Sequence, residues 1–176
     1  QSGKLKSLEL VELFDVSFPA SGADLSFGTS FASLRVHRCN TLLSPDSGMW
    51  EALPSSLEML DVSHGSLLQL PRGVCEVLKS LSLLEFTEEQ RVMLLPSMPR
   101  LVCLELRRCT DSLLTHFAKH SPLIEELTLH GNKASLTERG ICKALASMRK
   151  LRSLNCNGSV LTEDALVAAL KESSVA

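Results

Sequence analysis

LVCLEL, from Leu101 to Leu106, carries large apolar residues at its first, fourth and sixth places, and the chain repeats that spelling along its length. Working outward, it recurs as IEELTL from Ile124 and LRSLNC from Leu151 on one side. On the other side stand LKSLSL from Leu78, LEMLDV from Leu57, FASLRV from Phe31 and LKSLEL from Leu5. The seven starts lie 26, 26, 21, 23, 23 and 27 residues apart, so nearly every segment belongs to one recurring unit. A period of this length marks a repeat architecture, in which each unit buries its apolar side only by stacking on its neighbours. The 176 residues therefore read as one domain, residues 1–176, with repeats starting near 5, 31, 57, 78, 101, 124 and 151.

The fourth and sixth places are two apart, so in an extended chain both point to one side, while the third, fifth and seventh point to the other. Each unit thus supplies one short strand, and a parallel sheet needs a crossover between strands. Helical patterns fall where crossovers belong: DSLLTHFAKH from Asp111, ERGICKALASM from Glu138 and EDALVAALKES from Glu163. Each follows a threonine, Thr110, Thr137 or Thr162, suited to capping the first turn, with acids placed to complement the helix dipole. Thr87 and Gln90 have capping-box spacing, but Pro96 and Pro99 stop that helix early. Connections such as PASGADLSFGTS from Pro19 read as loops or single turns. The expected fold class is α/β: a right-handed αβ solenoid of about seven repeats, with a curved parallel sheet on the concave side and helices and loops on the convex side.

The ninth places, Leu13, Cys39, Gly65, Phe86, Cys109, Asn132 and Ser159, lie where each strand turns away, and an Asn or Cys there can hydrogen-bond the bend from inside. At this point the chain resembles the leucine-rich-repeat family, and in its last three units the cysteine-containing subtype of F-box proteins and their relatives. CTDSLLTHFAKHSPLIEELTLHGN, Cys109 to Asn132, carries that likeness, and LTERGICKALASMRKLRSLNC, Leu136 to Cys156, repeats it. Ser121 stands where the subtype usually has Cys before Pro122. The resemblance implies protein binding on the concave sheet. Its F-box relatives recognise ubiquitylation substrates, but no F-box-like helical module precedes Leu5, so the scaffold alone carries over. The alternatives are the substrate-recognition part of a ubiquitin ligase, completed by a separate segment, and a structural subunit of a larger assembly.

Composition narrows the partner classes. Eighteen basic and 20 acidic residues leave a net charge of −2, too balanced for bulk attraction to nucleic acid or an anionic membrane. Basic runs at Arg107/Arg108 and Arg149/Lys150/Arg152 lack the aromatics that stack on bases, so no nucleic-acid partner is expected. No apolar run approaches the ~18 residues of a membrane span, and no signal peptide opens the chain. The start at Gln1-Ser2-Gly3, without Met, leads us to expect a longer parent protein. Six scattered cysteines without a CxxC pair read as reduced thiols of a cytoplasmic or nuclear protein.

The outward fifth-place column reads Glu9, Arg35, Asp61, Ser82, Glu105, Thr128, Asn155, and the seventh-place column Val11, His37, Ser63, Leu84, Arg107, His130, Asn157. From these come the candidate protein-binding residues: Glu9, Arg35, His37, Arg38, Asp61, Glu105, Arg107, His130 and Asn155. Basic spots at Arg35/His37/Arg38 and Arg107/Arg108 beside acids suit a protein or peptide of complementary charge, and the lack of aromatics in the columns points to modest affinity. No catalytic, cofactor or metal site is expected. His116 and His120 share a helix face without a third ligand, the phosphate-binding and nucleophile-elbow motifs are absent, and a carboxylate beside Cys103 would suppress its thiolate.

Overall fold

The computed structural model describes residues 8–14, 31–37, 53–63, 72–84, 96–131, 136–157 and 161–175. Along the chain these form β1 (Leu8–Phe14), β2 (Phe31–His37), β3 (Met59–Ser63), α1 (Arg72–Val77) and β4 (Ser80–Leu84). There follow β5 (Cys103–Arg107), α2 (Asp111–His120), β6 (Glu126–His130), α3 (Glu138–Ser147), β7 (Ser153–Asn157) and α4 (Glu163–Val175). The strands make one seven-stranded sheet in chain order, every neighbouring pair parallel. At about 4.8 Å per strand the sheet is roughly 30 Å long. The architecture is α/β and compatible with an αβ solenoid.

Alternation decides which side is buried. Leu34, Leu60, Leu81, Leu104 and Leu127 align across the register as one inward row that continues to Leu154. Val62, Leu83, Leu106 and Leu129 form the next inward row. Helix residues two and three turns wide close over them: Leu113, Leu114, Phe117 and Ala118 from α2, and Gly140, Ile141, Ala144 and Leu145 from α3. The spacing i, i+1, i+4, i+5 in both helices is the one that puts an apolar stripe on a single face. Helix α3 packs between α2 and α4, so the helices stack in the same order as the strands.

The entry into each strand is also repeated. The first-place amide bonds back to the carbonyl three residues earlier at Leu57, Leu101, Ile124 and Leu151. The carbonyls of Glu58, Lys79, Val102 and Glu125 then each accept two N–H groups from the following unit.

The first unit differs from expectation. Leu8 pairs with Phe31, Val11 with Leu34 and Glu12 with Arg35, so the strand motif there is LELVEL from Leu8 and not LKSLEL from Leu5. Both spellings satisfy the first, fourth and sixth places, but an offset of three is odd and exchanges the two faces. Leu10 accordingly lies on the outward side, 42% exposed, and Val11 packs against the core. Leu13, expected at a ninth place, pairs with Val36 inside the ladder.

The three threonine caps are present. Thr110 Oγ1 accepts from Leu113 N, Thr137 Oγ1 from Gly140 N and Thr162 Oγ1 from Ala165 N, at 3.3, 3.0 and 3.3 Å. In the amino half α1 is a helix of under two turns, in keeping with short crossovers there. The Thr87/Gln90 capping box, the Pro19 loop and the ninth places other than Leu13 and Cys109 lie outside the described residues.

Candidate functional site

The side of the sheet away from the helices carries three rows of register positions. The third-place row runs Leu10, Ser33, Met59, Ser80, Cys103, Glu126, Ser153. The fifth-place row runs Glu12, Arg35, Asp61, Ser82, Glu105, Thr128, Asn155. The seventh-place row runs Phe14, His37, Ser63, Leu84, Arg107, His130, Asn157. Parallel pairing fixes this order, because one strand's register sets the height of every side chain on the next.

Charge is paired along the rows. Arg35 Nη1 donates to Glu12 Oε1 at 2.7 Å, and Arg35 Nε lies 4.0 Å from Asp61 Oδ2, so the guanidinium is bracketed by two carboxylates. Asp61 Oδ1 is out of solvent and accepts no hydrogen bond from the described residues. Farther along, His130 Nε2 sits 3.2 Å from Glu105 Oε1. Arg107 is exposed beside them. Leu84, Glu105, Arg107, His130, Gly131 and Asn157 line a depression of about 480 Å³ at the carboxyl ends of β4 to β7. Its rim turns sharply: Arg108 at φ 56° and Gly131 at φ 60° are left-handed, and their amides reach the carbonyls of His130 and Asn157 on the next strand.

Set against the sequence expectation, Arg35, Asp61, Glu105, Arg107, His130 and Asn155 do share this face. His37 holds the expected register position in the seventh-place row, and Arg38 lies outside the described residues. Glu9 is corrected: it falls three places before Glu12, out of the Arg35 row, and Glu12 takes its place in that row beside Arg35. Val11 is likewise replaced at the seventh-place register position by Phe14. The basic spot at Arg35 is largely neutralised by its two acids. Sequence reasoning missed Glu12, though LELVELF carried the signal, since it matches the strand pattern and places an acid opposite Arg35. It also missed the depression, which depends on how the chain turns after β5 and β6.

Cys103 behaves as its neighbours dictate. Its Sγ donates to Glu126 Oε2 at 3.5 Å, and burial first, then the Glu126 charge, pushes the thiol pKa up. A thiol held neutral is a poor nucleophile. The carboxylate expected beside Cys103 is that of Glu126. On the helical side the His116 and His120 rings are 4.6 Å apart, and among the described residues no three His, Cys, Asp or Glu side chains gather to hold a metal. Among the described residues, Cys75, Cys103, Cys109, Cys142 and Cys156 form no disulfide. No described helix is long and apolar enough to cross a membrane. No family model, curated protein or solved structure matches this chain.

Proposed function

We propose that the chain is a leucine-rich-repeat protein whose open sheet face binds another protein or peptide without covalent chemistry. The observation that carries this reading is the face itself: three aligned rows of polar and apolar side chains opposite a continuous leucine seam. A strand is held on both sides by its neighbours, so its side chains are displayed with little ordering cost on binding. Two of the large hydrophobics exposed among the described residues, Leu10 and Met59, stand on this side. The depression around Arg107 and His130 adds a concave, charged spot that suits an acidic or amide-rich side chain of the partner. The recurring strand-entry hydrogen bonds support the repeat assignment, because the same three-residue return stands at Leu57, Leu101, Ile124 and Leu151. Cysteines that form no disulfide among the described residues suit a reducing compartment, the cytoplasm or nucleus.

The test compares proteins retained by the wild type with those retained by Arg107→Glu and by Asn157→Arg, with circular dichroism to verify folding. A partner held in stoichiometric amount by the wild type and lost from both folded variants is the expected result. The same proteins retained by all three would remove this face from consideration.

A further inference from the structure

We propose a second docking surface, for an acidic peptide segment, in the groove between α2 and α3 on the helical layer. This surface is independent of the sheet face. The groove holds about 740 Å³ and is lined by His116, Lys119 and His120 from α2 and by Arg139 and Lys143 from α3. Spacings of three and four residues put each set on one helix face, so the two sets confront each other across the channel. Among the described residues neither Lys119, Arg139 nor Lys143 takes part in an ion pair. The one carboxylate in the lining, Asp111, is already engaged, accepting from Thr137 N at 2.8 Å and Thr137 Oγ1 at 2.6 Å. On a chain of net charge −2 this is a local reversal of sign.

Helix stability does not account for the cluster. Lys119 and His120 complement the dipole at the end of α2, but Arg139 stands in the first turn of α3, where a cation is disfavoured. Arg139 kept against that field, in line with the unpaired Lys119 and Lys143, fits an anionic occupant. From Ser112 to His120 the groove runs about 12 Å at 1.5 Å per residue. That length holds about four residues of extended chain, and consecutive acids in such a segment would alternate between the α2 and α3 walls.

The probe is a fluorescent peptide with about four consecutive glutamates, a number set by the groove length, followed by anisotropy against the full chain. Its glutamine counterpart and a single-stranded oligonucleotide of equal charge are run beside it. The wild type is expected to bind the glutamate peptide with an affinity that falls steeply with salt. Lys119→Glu combined with Lys143→Glu is expected to weaken binding by roughly tenfold or more, with helix content unchanged, and Arg107→Glu on the sheet face to leave it as it was. Equal binding of the glutamine peptide, or no loss in the charge-reversed variant, would overturn the proposal. Tighter binding of the oligonucleotide would overturn the choice of a peptide.

Discussion

Ser121 is 2% exposed, its amide donates to Phe117 O at 2.9 Å, and its hydroxyl finds no hydrogen-bond partner among the described residues. A buried hydroxyl left unpaired costs about 1–3 kcal/mol, whereas a thiol of similar size is content in an apolar site. Ser121→Cys should therefore raise the stability by about 1 kcal/mol, measured by urea unfolding with an unchanged slope. This is also the position where the sequence resemblance led us to expect Cys before Pro122. That much was legible, because Ser121 precedes Pro122 at a marked helix end. The left-handed backbone at Arg108 was not, since nothing in an arginine announces it. Its structural equivalent Gly131 would have hinted at the turn only once the two units were aligned.

At the scale of elements, the helices are tied together by a stair of threonines and acids. Asp111, the first residue of α2, accepts from the amide and hydroxyl of Thr137, which caps α3. Glu138, the first residue of α3, does the same for Thr162, which caps α4. Each acid thus satisfies orphan donors of the next helix and meets its positive end. Gly140 makes room for the first step, since a Cβ there would fall on the Asp111 carboxylate. Gly→Ala inside a helix ordinarily stabilises by about 1 kcal/mol. Gly140→Ala should instead destabilise, by about 1–2 kcal/mol. In the Asp111→Ala background the same change should cost less or become favourable, a sign of coupling that a double-mutant cycle of unfolding free energies reads directly.

The second step of that stair gives a pH dependence. The hydroxyl of Thr162, then its amide, hold the Glu138 carboxyl below its ordinary 4.5. A group depressed in the folded state contributes stability above its unfolded value, and the contribution is lost as pH falls through the depressed one. Unfolding measured from neutral pH down through 4.5 should show a shallower acid loss in Glu138→Gln than in the wild type. The threonine caps were readable from sequence because a cap is local. The stair was not, because its partners lie 26 and 24 residues apart and meet only when helices stack. The register of β1 failed for a related reason: LKSLEL and LELVEL match the apolar pattern equally, and the choice rests on pairing across to Phe31, Leu34 and Arg35.

The described elements are organised as a one-way series, with the seven strands paired in chain order and α2, α3 and α4 packed in the same order. One core runs through it from Leu34 to Ala169, and burial holds two of its thiols, Cys75 and Cys109, neutral, their pKa values pushed up to about 12. Such a core leaves the opposite side of the sheet as the surface with aligned, addressable rows, and alternation alone made that division legible from the sequence. Which residues on the face converge was legible only in part. Leu84, Arg107, His130 and Asn157 already stood together in the seventh-place column, while Gly131 joins them through the turn at the strand ends.

Hydroxyl-radical footprinting of the full chain, free and bound to the partner retained in the affinity comparison, tests the central claim most directly. The account predicts lost reactivity at Met59, Leu84 and His130 on the sheet face, with Leu123 and Val167, exposed elsewhere, oxidised as before. Protection confined to Leu123, Val167 or the α2 and α3 surface, with the sheet rows unchanged, would contradict it.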